Sequence, residues 1–82
     1  MLWYSLKEFL NKHLYCIISR RHIMQSLRGY ETTIDNYRCI LTKAGFLEIV
    51  STGQYKILKK IPEDLSVFAC QCIAYGIKDL PL

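Results

Sequence analysis

Thr33-Ile34-Asp35-Asn36-Tyr37-Arg38-Cys39-Ile40-Leu41-Thr42-Lys43-Ala44-Gly45-Phe46-Leu47 is the stretch whose reading decides the fold. Ile34, Tyr37, Leu41 and Ala44 recur at helical steps, with Ile40 on the same flank. At about 100° per residue they form one apolar stripe, which predicts an amphipathic helix over 33–44. Thr32, Asp35, Cys39, Thr42 and Lys43 fall on the opposite side, flanked by Asn36 and Arg38. Thr32 or Thr33 is the expected N-cap, because a hydroxyl there accepts an orphan backbone N–H. Gly45 stands where a helix ends in a left-handed residue.

Beyond Gly45, Phe46-Leu47-Glu48-Ile49-Val50 and Gln54-Tyr55-Lys56-Ile57-Leu58-Lys59-Lys60 are β-prone runs joined by Ser51-Thr52-Gly53. They read as a hairpin over 46–60, with Pro62 ending its second strand. Alternation puts Gln54, Lys56 and Lys60 on one face with Leu58 between them, and Tyr55 and Ile57 on the other. Upstream of the quoted stretch, Ile23 and Leu27 lie one turn apart with Met24 beside them. This predicts a helix from Arg20 to Arg28, with Ser19 as N-cap and Gly29 as its stop. Tyr15-Cys16-Ile17-Ile18 reads as one short strand. Ser5-Leu6-Lys7-Glu8 has the form of a capping box, with Tyr4 and Phe9 placed as a hydrophobic staple. Leu6, Phe9, Leu10 and Leu14 then continue at helical spacing, so a first helix is expected from Leu6 to His13.

The last segment changes character. Leu65 to Tyr75 is apolar nearly all round, Gln71 being the one strongly polar position after Ser66, and Gly76 and Pro81 close it. A helix from Ser66 to Tyr75 is expected, and a helix without a polar face must be covered on most sides. The chain therefore divides into residues 1–62 and a C-terminal segment 63–82, the candidate for self-association through Leu65, Phe68, Cys72 and Tyr75.

Eighty-two residues bound the problem to one small domain, with little room for a separate catalytic cleft. The net charge is +4 and uneven: residues 1–61 carry ten Lys/Arg against four Asp/Glu, whereas 62–82 carry Lys78 against Glu63, Asp64 and Asp79. A basic body suggests a polyanionic partner; a basic surface with no partner is the plainer alternative. Lys7, Glu8 and Lys12 interrupt the first apolar stretch, so no signal peptide is read there. The four cysteines are then expected as reduced thiols of a cytoplasmic protein. No stretch is apolar for long enough to span a bilayer.

Little points to chemistry. His13-x-x-Cys16 and Cys70-x-Cys72 lack the familiar paired zinc spacing, and the ordinary reading is buried free cysteine. His13 and His22 fall on different helices without an evident partner. No nucleophile arrangement, P-loop or dinucleotide fingerprint occurs. Neither a metal nor another cofactor is expected, and the chain is not expected to be an enzyme.

The run Ile18-Ser19-Arg20-Arg21-His22-Ile23-Met24-Gln25-Ser26-Leu27, the quoted stretch and the Gly53 hairpin together resemble winged helix-turn-helix domains of the small microbial or viral regulator type. The most specific part is Thr33-Ile34-x-x-Tyr37-x-x-x-Leu41-x-Lys43-Ala44-Gly45-Phe46-Leu47, which resembles a recognition helix running into a wing strand. The resemblance covers about three quarters of the chain and implies an α+β fold of three helices, a short strand and a two-stranded wing, here with an added C-terminal helix. It implies double-stranded DNA binding and transcriptional regulation, with 33–44 in the major groove. In that frame Asn36 pairs with adenine and Arg38 with guanine or phosphate. Thr32 and Thr33 bond phosphate as well as capping, Lys43 reaches the backbone, and Arg20 and Arg21 clamp phosphates. Gln54 and Lys56 are the expected wing contacts, although a lysine there also protects an edge strand. Winged helices also serve as protein adaptors, which is the competing expectation.

Overall fold

A computed structural model describes residues 2–76. The chain forms an α+β domain with helices α1 (Leu2–Lys12), α2 (Arg20–Ser26), α3 (Glu31–Lys43) and α4 (Val67–Tyr75), and strands β1 (Ile17–Ser19), β2 (Leu47–Ser51) and β3 (Gln54–Ile57). The strands make one antiparallel sheet in the order β1-β3-β2, so the last strand lies in the middle. Tyr55 of β3 sits between Ile18 and Ile49, and Lys56 between Ile17 and Glu48. Val50 bulges out of the β2 ladder between Ile49 and Ser51.

The quoted stretch folds as its pattern requires. Ile34 and Leu41 are fully buried, Ile40 is nearly so, and Tyr37 and Ala44 pack against the same core. The end of α3 is a Schellman motif. The Gly45 N–H donates to the Thr42 carbonyl at 3.1 Å and the Phe46 N–H to the Leu41 carbonyl at 3.0 Å. Gly45 has φ +92°, a conformation that a side chain would strain. Phe46 and Leu41 are both buried, so the polar motif is sealed by an apolar contact.

The start of α3 differs from expectation. The cap is Tyr30 without a side-chain hydrogen bond, and Thr32 and Thr33 lie inside the first turn. The Ile34 N–H bonds the Tyr30 carbonyl at 2.8 Å, and Glu31 supplies an acid that suits the helix dipole. The Ser5 capping box is likewise not used, because α1 begins at Leu2 and Ser5 sits within it. Tertiary packing accounts for the extension. Trp3 is buried and meets the Tyr37 ring edge-on at 5.1 Å, which requires the first turn to be helical.

Ser19 does cap α2, its Oγ accepting from the His22 N–H at 3.0 Å. That helix stops at Ser26, short of Arg28, and Gly29 with φ +89° makes the following turn. The short strand falls at Ile17–Ser19, later than expected, since Tyr15 takes φ +66°. β3 ends at Ile57, before Lys60 and well before Pro62. The chain leaves the sheet there because Asn11 captures Ile61: Asn11 Nδ2 donates to the Ile61 carbonyl at 2.9 Å and the Ile61 N–H donates to Asn11 Oδ1 at 2.8 Å.

The same face of α1 ties down the connection to α4. Lys7, only 4% exposed, donates to the carbonyls of Glu63 (2.6 Å), Leu65 (2.8 Å) and Pro62 (3.4 Å). Three carbonyls satisfy the three donors of one ammonium, which is what permits its burial. Trp3 Nε1 also donates to the Leu65 carbonyl at 2.7 Å, and the Tyr4 hydroxyl to Glu63 Oε1 at 3.0 Å. α4 is capped by Ser66, which was expected as its first residue, Ser66 Oγ accepting from the Ala69 N–H at 3.0 Å, and it ends at Gly76 with φ +68°. Pro81, with the rest of 77–82, lies outside the described residues. No helix among the described residues is long and apolar enough to cross a membrane.

Candidate nucleic-acid interface

On α3 the exposed residues Thr32, Asn36, Cys39 and Lys43 follow steps of four, three and four, so they form one line along the helix. The opposite face is core. Three of the residues singled out from the sequence, Thr32, Asn36 and Lys43, are thus brought together. Thr33 is half-buried beside them. Lys43 is not wholly free, because its ammonium lies 4.9 Å from the centre of the Tyr75 ring of α4.

Arg38 departs from this line. Its side chain is 17% exposed and its guanidinium lies over the Tyr55 ring at 4.9 Å. The turn of α3 that carries it faces the sheet. Arg20 also has an internal partner: its Nε and Nη2 donate to the two oxygens of Asp35, both at 2.9 Å. Donation from Arg20, ahead of other causes, holds the Asp35 carboxyl below its ordinary value of 3.8. The stabilisation from this pair is complete above 3.8 and is lost as pH falls through the lowered folded value. Asp35, placed by the sequence pattern on the polar side of the helix, is therefore an anchor between α2 and α3. Arg21 is exposed and forms no ion pair among the described residues.

The hairpin turn is joined to this end of the molecule. Gly53, at φ +74°, presents its carbonyl to the Arg20 N–H at 2.8 Å. Gln54 is exposed and its Oε1 accepts from Ser51 Oγ at 2.9 Å. Lys56 is half-buried on the outer face of the middle strand, so it is not an edge-strand lysine. Arg20, Asp35, Arg38 and the hairpin turn thus cluster at one end.

α4 packs along α3, beginning near Tyr37 and ending at Lys43. Phe68, Cys72 and Tyr75 share one side, and Phe68 and Tyr75 are more than half exposed. Leu65 does not belong with them. It lies in the connection clamped by Trp3 and Lys7 and packs on the core. Burial pushes the Cys70 thiol upward, which keeps it a protonated core group.

A contact that the sequence reading missed joins the two histidines. Their rings lie 5.4 Å apart, and Phe9 lies 4.6 Å from His13 and 5.4 Å from His22. The spacing Phe9-x-x-x-His13 signals one of these contacts; nothing local signals His22. Among the described residues no three His, Cys, Asp or Glu side chains converge as a metal-binding group. No family model, curated protein or solved structure matches this chain.

Proposed function

We propose that the chain is a winged helix-turn-helix module that binds duplex DNA as a cytoplasmic transcriptional regulator, with α3 as recognition helix and the β2–β3 turn as wing. The observation that carries this reading is the solvent-facing line Thr32-Asn36-Cys39-Lys43 on a helix whose back is core. The element order α1-β1-α2-α3-β2-β3 with strand order β1-β3-β2 supports it, since it sets α3 beside a hairpin anchored at Arg20. A major groove about 12 Å wide admits one helix. α4 accompanies the later part of α3, so the N-terminal half enters deepest, the usual geometry for base contact. Asn36 reads a base edge, Thr32 and Thr33 bond phosphate, and Lys43 holds the backbone near α4. A second copy docks through Phe68, Cys72 and Tyr75, which are exposed or half-buried on one side of α4. A two-fold pair of this kind calls for a palindromic site.

A protein adaptor is the second reading. What favours it is that Lys7, Arg20 and Arg38 are engaged internally while Phe68, Ile73 and Tyr75 are more than half exposed. Binding-site selection from random duplex DNA separates the two. The DNA reading predicts an enriched palindrome, loss of preference at one position with Asn36→Ala at a cost of about 1–3 kcal/mol, and half-site binding by Phe68→Glu. The adaptor reading predicts no enrichment.

A further inference from the structure

Asp35 stands between two arginines. Its oxygens accept from Arg20 Nε and Nη2, both at 2.9 Å. Arg38 Nε approaches the same Oδ1 to 3.7 Å, too far for a hydrogen bond, and is buried without a partner. The Arg38 guanidinium lies over the Tyr55 ring, its Cζ 4.9 Å from the ring centre. One carboxylate shared by two guanidiniums leaves the cluster net positive. Among the described residues, Arg20 Nη1 and the two Nη atoms of Arg38 have no protein acceptor, and none of them is sealed from solvent. The Arg20 side chain is 44% exposed, and its backbone N–H holds the hairpin turn through Gly53. Donors of fixed orientation therefore collect where α2, α3 and the hairpin meet.

We infer that Arg20, Asp35 and Arg38 form one preassembled phosphate grip, in which Asp35 is a positioning residue that aims both guanidiniums. The inference rests on the duplex-DNA reading, and the ligand is a backbone phosphodiester flanking the groove that α3 enters. A free arginine forfeits side-chain freedom on binding, whereas a guanidinium already fixed by a carboxylate and a ring does not. The Nη atoms that Asp35 leaves open then meet the phosphate oxygens with their donors in place. Long-range electrostatics argues the reverse, since a carboxylate repels phosphate. The two accounts therefore give Asp35→Asn opposite signs.

The test measures fluorescence anisotropy of labelled duplex DNA at low salt for the full chain, Asp35→Asn, Glu48→Gln and Arg20→Lys, with circular dichroism confirming the fold of each. Asp35→Asn and Glu48→Gln raise the net charge equally. Glu48→Gln is expected to bind as tightly as the parent or tighter, and Asp35→Asn roughly tenfold more weakly, the loss typical of a charged hydrogen bond. Arg20→Lys keeps the charge but loses the fork and is expected to weaken binding similarly; it decides the matter if Asp35→Asn does not fold. Binding by Asp35→Asn as tight as by Glu48→Gln, or unchanged binding by Arg20→Lys where Asp35→Asn is unfolded, overturns the grip and leaves the DNA reading standing. If the parent binds no duplex, the DNA reading falls. Titration with inorganic pyrophosphate, followed by the arginine Nε–Hε resonances, then decides the grip separately. Shifts at Arg20 and Arg38 that vanish in Asp35→Asn, or in Arg20→Lys where Asp35→Asn does not fold, sustain it, and their absence in the parent overturns it.

Discussion

Trp3→Ala is expected to lower the unfolding free energy by about 3–5 kcal/mol, the cost of truncating a large buried aromatic. The loss has two sources. The ring leaves a void against Tyr37, and the Leu65 carbonyl loses the Trp3 Nε1 donor at 2.7 Å. Trp3→Phe separates them, since it retains an aromatic ring and removes the donor; its expected cost includes about 1 kcal/mol for the hydrogen bond. Chemical denaturation followed by far-ultraviolet circular dichroism measures both, because Trp3 is the only tryptophan and fluorescence would lose its probe. Equal, small losses for the two variants would contradict the packing role assigned to Trp3.

Lys7→Met is expected to destabilise by about 2–4 kcal/mol, although it replaces a charge by an apolar side chain of similar reach. Replacing a buried charge with a hydrophobic group is often neutral when its partners are replaced too. Here the partners are backbone carbonyls that remain. The Glu63 carbonyl would lose its donor at 2.6 Å and the Leu65 carbonyl one of its two, at 2.8 Å, keeping Trp3 Nε1; an acceptor left without a donor retains its desolvation cost. Amide hydrogen exchange provides the second readout. Faster exchange confined to Leu65 and α4 is expected, because Lys7 is, with Trp3, one of the ties between that segment and α1. A Lys7→Met protein as stable as the parent would show that the carbonyls find water instead.

These two residues also mark where sequence reading reached its limit. The α3 stripe, the Gly45 ending and the shared face of Tyr55 and Ile57 were legible, because helical and strand periodicities are local properties. So was the Ser19 cap. The Ser5 capping box was equally local and went unused, since burial of Trp3 against a residue 34 positions later draws the helix back to Leu2. Lys7 looked like a polar interruption of an apolar stretch, and its carbonyl partners lie 55 to 58 residues away. No spacing rule encodes them. In the candidate interface, the outward placement of Thr32, Asn36 and Lys43 followed from the α3 pattern. The inward turn of Arg38 did not, because it depends on Tyr55 arriving from the sheet. Asp35 and Arg20 are 15 residues apart on different helices, so their pairing needed the fold.

The central claim is that the outward line of α3 and the turn beside Arg20 meet duplex DNA. Amide chemical-shift mapping of the full chain with a selected duplex at about 50 mM salt, repeated at about 200 mM, tests it most directly. The largest shifts are expected at Thr32, Asn36, Cys39 and Lys43, with a second group at Arg20, Arg21, Gly53 and Gln54, and marked weakening at the higher salt. Absence of shifts at low salt, or shifts confined to Phe68, Cys72 and Tyr75 of α4, would contradict it.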